Sequence, residues 1–292
     1  MAEAIVTSDT QPVTPRGSEP SNRQTRPVLD LEAKITQRTA QVAVIGLGYL
    51  GLPMATEFAE LGFPVTGIDI DRARLAALSR GESYIPDVDA EKVQRLLAAG
   101  KLRVSADYDQ LLDVEIVFVC VPTPFTANKA PDISYVVAAA EGVVPRLRPG
   151  HLVVLQSTTH PGTTEEDVLP ILERSGLRAG VDFHLAFSPE RINPGDRVHT
   201  VRTMPQVVGG LTPRCALLPK ALLSEMNPQV HVVSAPRVAE MSKLLENIFR
   251  SVNVALVSEL AKLSERMGID IWEVIDAAST KPFGFMPFYP SA

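Results

Sequence analysis

A glycine-rich turn between an apolar segment and an amphipathic one constrains the fold of this chain more than any other feature. Residues 41–51 read Gln-Val-Ala-Val-Ile-Gly-Leu-Gly-Tyr-Leu-Gly, and the next apolar segment ends at Asp69. In such a turn the first glycine permits a sharp change of direction, the second lets the backbone approach a pyrophosphate, and the third lets a helix pack closely on a strand. The pattern predicts strands near residues 41–45 and 63–69, a helix near 50–61, and a dinucleotide site at the helix N-terminus.

Asp69 favours NAD as the dinucleotide. A carboxylate about 20 residues beyond the glycines hydrogen-bonds the ribose hydroxyls and repels the additional phosphate of NADP. Arg72 and Arg74 follow closely, so NADP stays open as an alternative. The predicted cofactor-binding residues of this unit are Gly46, Gly48, Tyr49, Leu50, Gly51 and Asp69.

Composition argues against several other classes of protein. The net charge of −6 comes with mixed signs and no basic stripe for nucleic acid, and no apolar run reaches the roughly 18 residues of a membrane span, so we expect neither partner. Cys120, in an apolar strand, and Cys215, at a surface-type helix start, have no disulfide or zinc spacing; we expect no metal site and a cytoplasmic location. Residues 1–38 are polar, without a signal-peptide core, and are predicted to be a disordered tail.

Strand and helix patterns alternate along most of the chain and predict a doubly wound α/β fold, a Rossmann-like NAD-binding domain over residues 39–234. Nearly continuous β-branched runs such as residues 116–119 indicate strands buried on both faces. Residues 237–267 contain no Gly or Pro and carry apolar residues at helical spacing, which predicts one helix about 45 Å long. With a second helix expected at 271–278, residues 235–292 are predicted to form a smaller all-α domain.

Ligands of an open α/β sheet bind beyond the carboxyl ends of its strands, where three polar loops are expected. In residues 121–124, Val-Pro-Thr-Pro, the Thr123 hydroxyl is placed to border a nicotinamide, and a proline-stiffened turn without a ligand is an equal alternative. Residues 156–164 contain Thr158 and His160, an acid–base candidate that has no partner in the sequence. Residues 187–195 hold Glu190 in a loop bounded by prolines.

Three polar residues lie at helical spacing near the start of the long helix: Glu240, Lys243 and Asn247. A lysine beside a hydride-transfer centre stabilises negative charge that develops on the substrate oxygen, and an amide holds a water or alkoxide beside it. The spacing alone favours the alternative of an ordinary solvated face with a Glu–Lys pair.

Five sequence strings, in this order, resemble the UDP-glucose/GDP-mannose dehydrogenase family over about residues 41–289. They are Val-Ile-Gly-Leu-Gly-Tyr-Leu-Gly-Leu-Pro, Val-Pro-Thr-Pro, Ser-Thr-Thr-x-Pro-Gly-Thr-Thr, Phe-Ser-Pro-Glu-Arg and Ala-Glu-Met-Ser-Lys-Leu-Leu-Glu-Asn. The Ser-Pro-Glu-Arg string with Asn-Pro-Gly, and the segment Lys-Pro-Phe-Gly-Phe, are similar to the branch that oxidises UDP-N-acetylhexosamines. Within it the UDP-N-acetylglucosamine 6-dehydrogenases, which supply acidic sugars for surface polysaccharide, are the favoured group.

The resemblance implies that the C6 alcohol of a UDP-sugar is oxidised to a carboxylate by two hydride transfers to two NAD molecules, through a covalent intermediate on a cysteine. It implies a role for four residues. Thr158 positions the catalytic water and borders the cofactor, Glu190 acts in acid–base steps of thioester hydrolysis, Lys243 stabilises the oxyanion, and Asn247 holds the same oxygen or water.

The nucleophile of the family lies in a Gly-Gly-His-Cys loop that is expected shortly after residues 288–290, and the sequence ends at Ala292. We therefore expect a truncated central domain and no uronate product from these 292 residues alone. Two alternatives stay open. One is a non-catalytic NAD-binding protein that forms a homodimer through the apolar face of helix 237–267. The other is a two-electron β-hydroxyacid dehydrogenase, which needs no cysteine.

Overall fold

An open sheet of eight strands forms the centre of the computed structural model, which describes residues 31–128, 131–192, 195 and 198–290. The strands are β1 (Val42–Ile45), β2 (Val65–Ile68), β3 (Leu102–Ser105), β4 (Ile116–Val119), β5 (Leu152–Leu155), β6 (His184–Phe187), β7 (Gln206–Gly210) and β8 (Val230–Val233). Their order across the sheet is β3-β2-β1-β4-β5-β6-β7-β8. The first six strands run parallel, whereas β7 is antiparallel to β6 and parallel to β8. This is the doubly wound order, so the predicted fold is confirmed.

Helices cover both faces of this sheet. In the described residues they are α1 (Leu31–Thr36), α2 (Gly51–Glu60), α3 (Arg72–Ser79), α4 (Ala90–Ala98), α5 (Ser134–Val143), α6 (Leu169–Glu173), α7 (Pro213–Ser224), α8 (Pro236–Met267) and α9 (Ile271–Ser279). A π-helix at Thr163–Val168 leads directly into α6. Of these helices, none combines the length and the apolar character that crossing a membrane would require.

Two apolar layers, one on each face of the sheet, form the core. Every side chain of β1, β4 and β5 is buried, and alternate residues of each strand contribute to opposite layers. In one layer Phe58 contacts Phe63 and Phe118, with ring centroids 6.0 and 5.4 Å apart. The other layer contains side chains of α5, α6 and the first turn of α8. Burial on both faces accounts for the continuous apolar runs of these strands.

The sequence patterns did not predict β3. β3 pairs with β2 at the edge of the sheet, and Leu102 is its one buried residue, so its apolar pattern is too weak to predict a strand. The helix α5 ends at Val143, because the three residues after it form a 3-10 turn that contains Pro145.

The predicted disordered tail is wrong for residues 31–36, which form α1. Leu31 and Ile35 are buried, and α1 packs on α7. The Lys34 ammonium lies 2.6 Å from the Glu115 carboxylate. The polar composition of the first 38 residues conceals this short amphipathic turn, which becomes stable only on a preformed surface. Residues 1–30, the remainder of the predicted tail, lie outside the described residues.

The long helix is present as predicted, since α8 has 32 residues and ends at Gly268 in the left-handed conformation (φ +68°). Only its first two turns contribute buried side chains. From the second turn onwards a stripe of exposed apolar residues follows helical spacing, and we call it the α8 apolar face: Met241, Leu245, Ile248, Phe249, Val252, Leu256, Leu260, Leu263 and Met267.

Candidate functional site

A cavity of about 760 Å³ lies at the carboxyl ends of the neighbouring parallel strands β1 and β4, where the connections that follow these two strands lead to opposite faces of the sheet. It reaches from the end of β2 to the loop after β6. The predicted residues that line it are Gly46, Gly48, Tyr49, Leu50, Asp69, Thr123, Thr158 and Glu190. The described residues contain no cluster of three or more His, Cys, Asp or Glu side chains that could hold a metal ion.

The glycine turn has the space that a pyrophosphate requires. A Cβ on Gly46, whose φ is +90°, would lie 2.6 Å from the Cys120 carbonyl oxygen, and one on Gly51 would lie 1.8 Å from the Gly46 carbonyl oxygen. A Cβ on Gly48 would meet no atom within 4 Å, so this glycine borders open space. The N-cap residue of α2, Leu50, makes no side-chain hydrogen bond to the first turn, whose N–H groups are suited to an anion. Gly51 packs against the Gly46 backbone within the turn and does not line the cavity.

Asp69 braces the glycine turn from within the cavity. Its Oδ2 accepts a hydrogen bond from the Leu47 N–H at 2.7 Å, and its Oδ1 accepts one from the Asp71 N–H at 2.8 Å. The Arg74 guanidinium lies 3.6 Å from Asp69 Oδ2 and stands over the Tyr84 ring, 5.7 Å from its centroid. Arg74 lines this end of the cavity, in agreement with its place close to Asp69 in the sequence. The sequence pattern did not predict a role for Tyr84, whose hydroxyl donates to the Leu47 carbonyl at 2.7 Å.

Two loops form the opposite half of the cavity wall and are fastened to each other. The Thr123 hydroxyl donates to the Thr158 carbonyl oxygen at 2.7 Å, and the Ser157 hydroxyl donates to the Val121 carbonyl oxygen at 2.7 Å. Beneath them the Cys120 thiol donates to Gln156 Oε1 at 3.3 Å, and burial raises the pKa of this thiol. A thiol that stays protonated is a poor nucleophile, so Cys120 is part of the wall.

Glu190 lines the end of the cavity beyond these loops and forms a buried ion pair with Lys243, which does not itself line the cavity. Lys243 Nζ lies 3.7 Å from Glu190 Oε2, and the two residues are 8% and 6% exposed. The Ile192 N–H donates to the other carboxylate oxygen. Burial raises the pKa of Glu190, and the charge of Lys243 opposes that rise. The alternative of a solvated helix face is therefore wrong for Lys243, which the tertiary fold buries together with Glu240.

Asn247 and His160 are not brought to the cavity. Asn247 lies one turn beyond Lys243, and its side chain accepts a hydrogen bond from Arg250 at 2.8 Å. Neither Asn247 nor Arg250 lines the cavity. His160 finds partners that the sequence did not reveal: its Nδ1 lies 3.0 Å from the Thr163 hydroxyl and its Nε2 lies 3.8 Å from Asp167. Those contacts hold a surface loop together, outside the cavity.

Cys215 is fully buried, so its predicted place at a surface-type helix start is wrong. Burial would raise the pKa of its thiol, but hydrogen bonds with His184 and Thr212 outweigh burial and lower the pKa to about 7. The Thr212 hydroxyl is 3.1 Å from the sulfur, and His184 Nδ1 is 3.6 Å from it. Cys215 does not line the cavity.

Comparison with known proteins places this geometry in a family. Residues 40–230 match the UDP-glucose/GDP-mannose dehydrogenase family, NAD binding domain, and residues 237–292 match the central domain of the same family. The chain is 42% identical over 252 residues to a UDP-N-acetyl-D-glucosamine 6-dehydrogenase of Pseudomonas aeruginosa, covering 86% of this chain and 58% of that protein. The chain thus spans little more than half the length of this curated relative.

Solved structures agree with this match. The UDP-D-ManNAc dehydrogenase of Pyrococcus horikoshii is 35% identical, with a TM-score of 0.81 over 86% of this chain and 60% of that one. The GDP-mannose dehydrogenase of Pseudomonas aeruginosa is 27% identical, with a TM-score of 0.77 over 82% and 56% of the two chains. The glycine cradle that fits a pyrophosphate, Asp69 beside it and the family match all agree on NAD as the cofactor of this domain. The chain belongs to the UDP-glucose/GDP-mannose dehydrogenase family.

Proposed function

We propose that this chain carries the NAD site and part of the substrate site of a nucleotide-sugar dehydrogenase that oxidises the C6 alcohol of a UDP-sugar to the uronic acid. One observation carries the proposal: a cavity of dinucleotide size holds Asp69 at one end and, at the other, Glu190, which is paired with the buried Lys243. UDP-N-acetylglucosamine is the favoured substrate, because the relative that is 42% identical is named for it.

The side chains at this end of the cavity are suited to alcohol oxidation. When bound, NAD supplies the hydride acceptor. The Lys243 ammonium stabilises negative charge on the substrate oxygen, and Glu190, whose pKa burial raises, exchanges a proton with a water held near Thr158. Asn247 would join them only after its amide leaves Arg250.

Cofactor binding is the first test of the proposal. Calorimetric titration should show NAD binding at least tenfold tighter than NADP, since the Asp69 carboxylate repels an additional phosphate. An Asp69→Asn substitution should reduce the ratio of NAD affinity to NADP affinity. Asp113→Asn, at an exposed position outside the cavity, should leave this ratio unchanged. A chain that bound neither nucleotide would contradict the proposal.

Turnover is the second test. The two cysteines of the 292 residues are buried, and neither presents a reactive thiolate to the cavity, so the chain by itself should form no uronate. Mass spectrometry of a reaction with NAD and UDP-N-acetylglucosamine would detect any uronate, which would refute this expectation. NADH formation from small β-hydroxy acids in place of UDP-sugars would instead support the β-hydroxyacid dehydrogenase alternative.

We also propose that the chain forms a homodimer through the α8 apolar face. The stripe of apolar side chains continues over more than six turns of the helix and is exposed in the single chain. A contiguous apolar surface of this length on a protein in water favours association with a complementary one.

A further inference from the structure

The carboxylate of Glu240 is completely buried and joins α8 to the loop after β5. Its Oε2 accepts a hydrogen bond from the Gly162 N–H at 2.6 Å. Its Oε1 accepts two more from Thr164, one from the backbone N–H at 2.9 Å and one from the hydroxyl at 2.6 Å. Glu240 is 0% exposed, so this side chain is committed to contacts within the protein.

Through these hydrogen bonds Glu240, a residue of α8, caps the N-terminus of the π-helix at Thr163–Val168. The π-helix that begins at Thr163 follows Gly162, whose φ is +103°, and has no side-chain cap of its own. Glu240 supplies the missing acceptors and places a negative charge at the helix N-terminus, where the helix dipole stabilises it. A second contact between the same elements is an ion pair of Arg237 with Glu165, at a more exposed position.

The loop that Glu240 caps is the one that carries Thr158. Ser157 and Thr158 fasten its first residues to the loop after β4, and Glu240 fixes its last residues to α8. Three residues after Glu240, on the same side of the helix, Lys243 reaches Glu190. The buried carboxylate of Glu240 therefore connects the Thr158 loop to the part of α8 that carries Lys243.

We infer that Glu240 is a positioning residue for the half of the cavity that receives the nicotinamide end of the dinucleotide. Asp69 and the glycine turn, which would receive the adenosine and pyrophosphate end, share no hydrogen bond with Glu240. Loss of the Glu240 cap loosens the Thr158 loop and leaves the other end intact. The inference rests on the proposed NAD site.

The test compares two nucleotides on the same variants. In Glu240→Gln an amide N–H₂ faces one of the N–H donors of residues 162 and 164, so one hydrogen bond is lost. Calorimetric titration should show NAD binding weakened about tenfold and ADP binding unchanged within twofold. The matched control is Glu165→Gln, which removes the ion pair between the same two elements and should change neither affinity.

Thr164 provides a milder variant if Glu240→Gln does not fold. Thr164→Val removes one hydrogen bond to Glu240 and should weaken NAD binding about threefold, whereas Thr164→Ser keeps the hydroxyl and should restore the wild-type value. Amide hydrogen exchange at residues 162–164 should accelerate at least tenfold in Glu240→Gln, with residues 44–48 unaffected.

An equal loss of NAD and ADP affinity would overturn the inference, because it would indicate general destabilisation. So would unchanged NAD binding together with faster exchange at residues 162–164. A wild-type chain that bound neither nucleotide would contradict the proposed function instead. The exchange measurement, which needs no nucleotide, would then still decide whether Glu240 holds the loop.

Discussion

Gly48 and Gly51 belong to one turn, yet a side chain at each would meet different surroundings. A Cβ at Gly51 would overlap the Gly46 carbonyl oxygen, at 1.8 Å, whereas a Cβ at Gly48 would meet only open space in the cavity. Gly51→Ala should therefore cost about 2 kcal/mol or more of folding free energy, as overpacking does. Gly48→Ala should keep the wild-type melting temperature and weaken NAD binding at least tenfold. Thermal melts and calorimetric titration check both, and equal destabilisation of the two variants would contradict this reading.

His151 makes stability depend on pH. Burial, helped by the charge of Arg148, lowers the pKa of this imidazole to about 4. The unfolded side chain, with a pKa of about 6.5, takes up a proton where the folded ring stays neutral. The contribution of the neutral His151 ring to the free energy of unfolding is therefore complete above pH 6.5. It declines as the pH falls towards 4, by about 3 kcal/mol in all.

Urea unfolding at pH 7 and pH 5 checks this prediction for His151. His151→Gln should flatten the decline in unfolding free energy between the two pH values. The control is His231→Gln, at an exposed position on β8, which should keep the wild-type decline. An unaltered decline in His151→Gln would show that other groups are responsible.

Removing Lys243 should leave the Glu190 carboxylate buried without its counter-charge. Lys243→Met should destabilise the fold by about 3 kcal/mol at pH 8, the cost of breaking a buried pair. The pKa of Glu190, already raised by burial, rises further, so its folded pKa exceeds the unfolded one and stability is lost as the pH rises. The loss at pH 5 should be smaller, and Glu190→Gln in the same chain should recover most of it. Urea unfolding that showed equal losses at both pH values, without recovery, would oppose this account.

At the scale of elements, α8 performs two tasks along its length. Its first two turns bury Ala239, Glu240 and Lys243 against the sheet domain, and the remainder presents the α8 apolar face. Helical periodicity predicted the helix and its apolar stripe. It could not distinguish a solvated polar face from a buried one, because the packing of the loop after β5 on that face is a long-range contact.

The α8 apolar face provides a prediction about assembly. Leu256, near the middle of the stripe, is 55% exposed. A charge there should oppose apolar association, so Leu256→Glu should convert a dimer into a monomer, as measured by light scattering coupled to size-exclusion chromatography. Lys262→Glu introduces the same charge at an already charged position of the helix and should leave the dimer intact. A wild-type chain that is monomeric at all concentrations would exclude the dimer.

At the scale of the whole molecule, the sequence by itself determined the doubly wound fold, the glycine turn with Asp69, and the long helix after Pro236. These features depend on local patterns: runs of β-branched residues, glycines required by close backbone approach, and apolar residues at helical spacing. The tertiary structure decided which polar residues meet. It buried Lys243 beside Glu190, committed Glu240 to a helix cap, left Asn247 with Arg250 and ordered residues 31–36 on α7. The physical reason is the sequence separation of the partners. Whether a charged side chain is buried depends on partners 50 or more residues away, and the local spacing of residues carries no information about them.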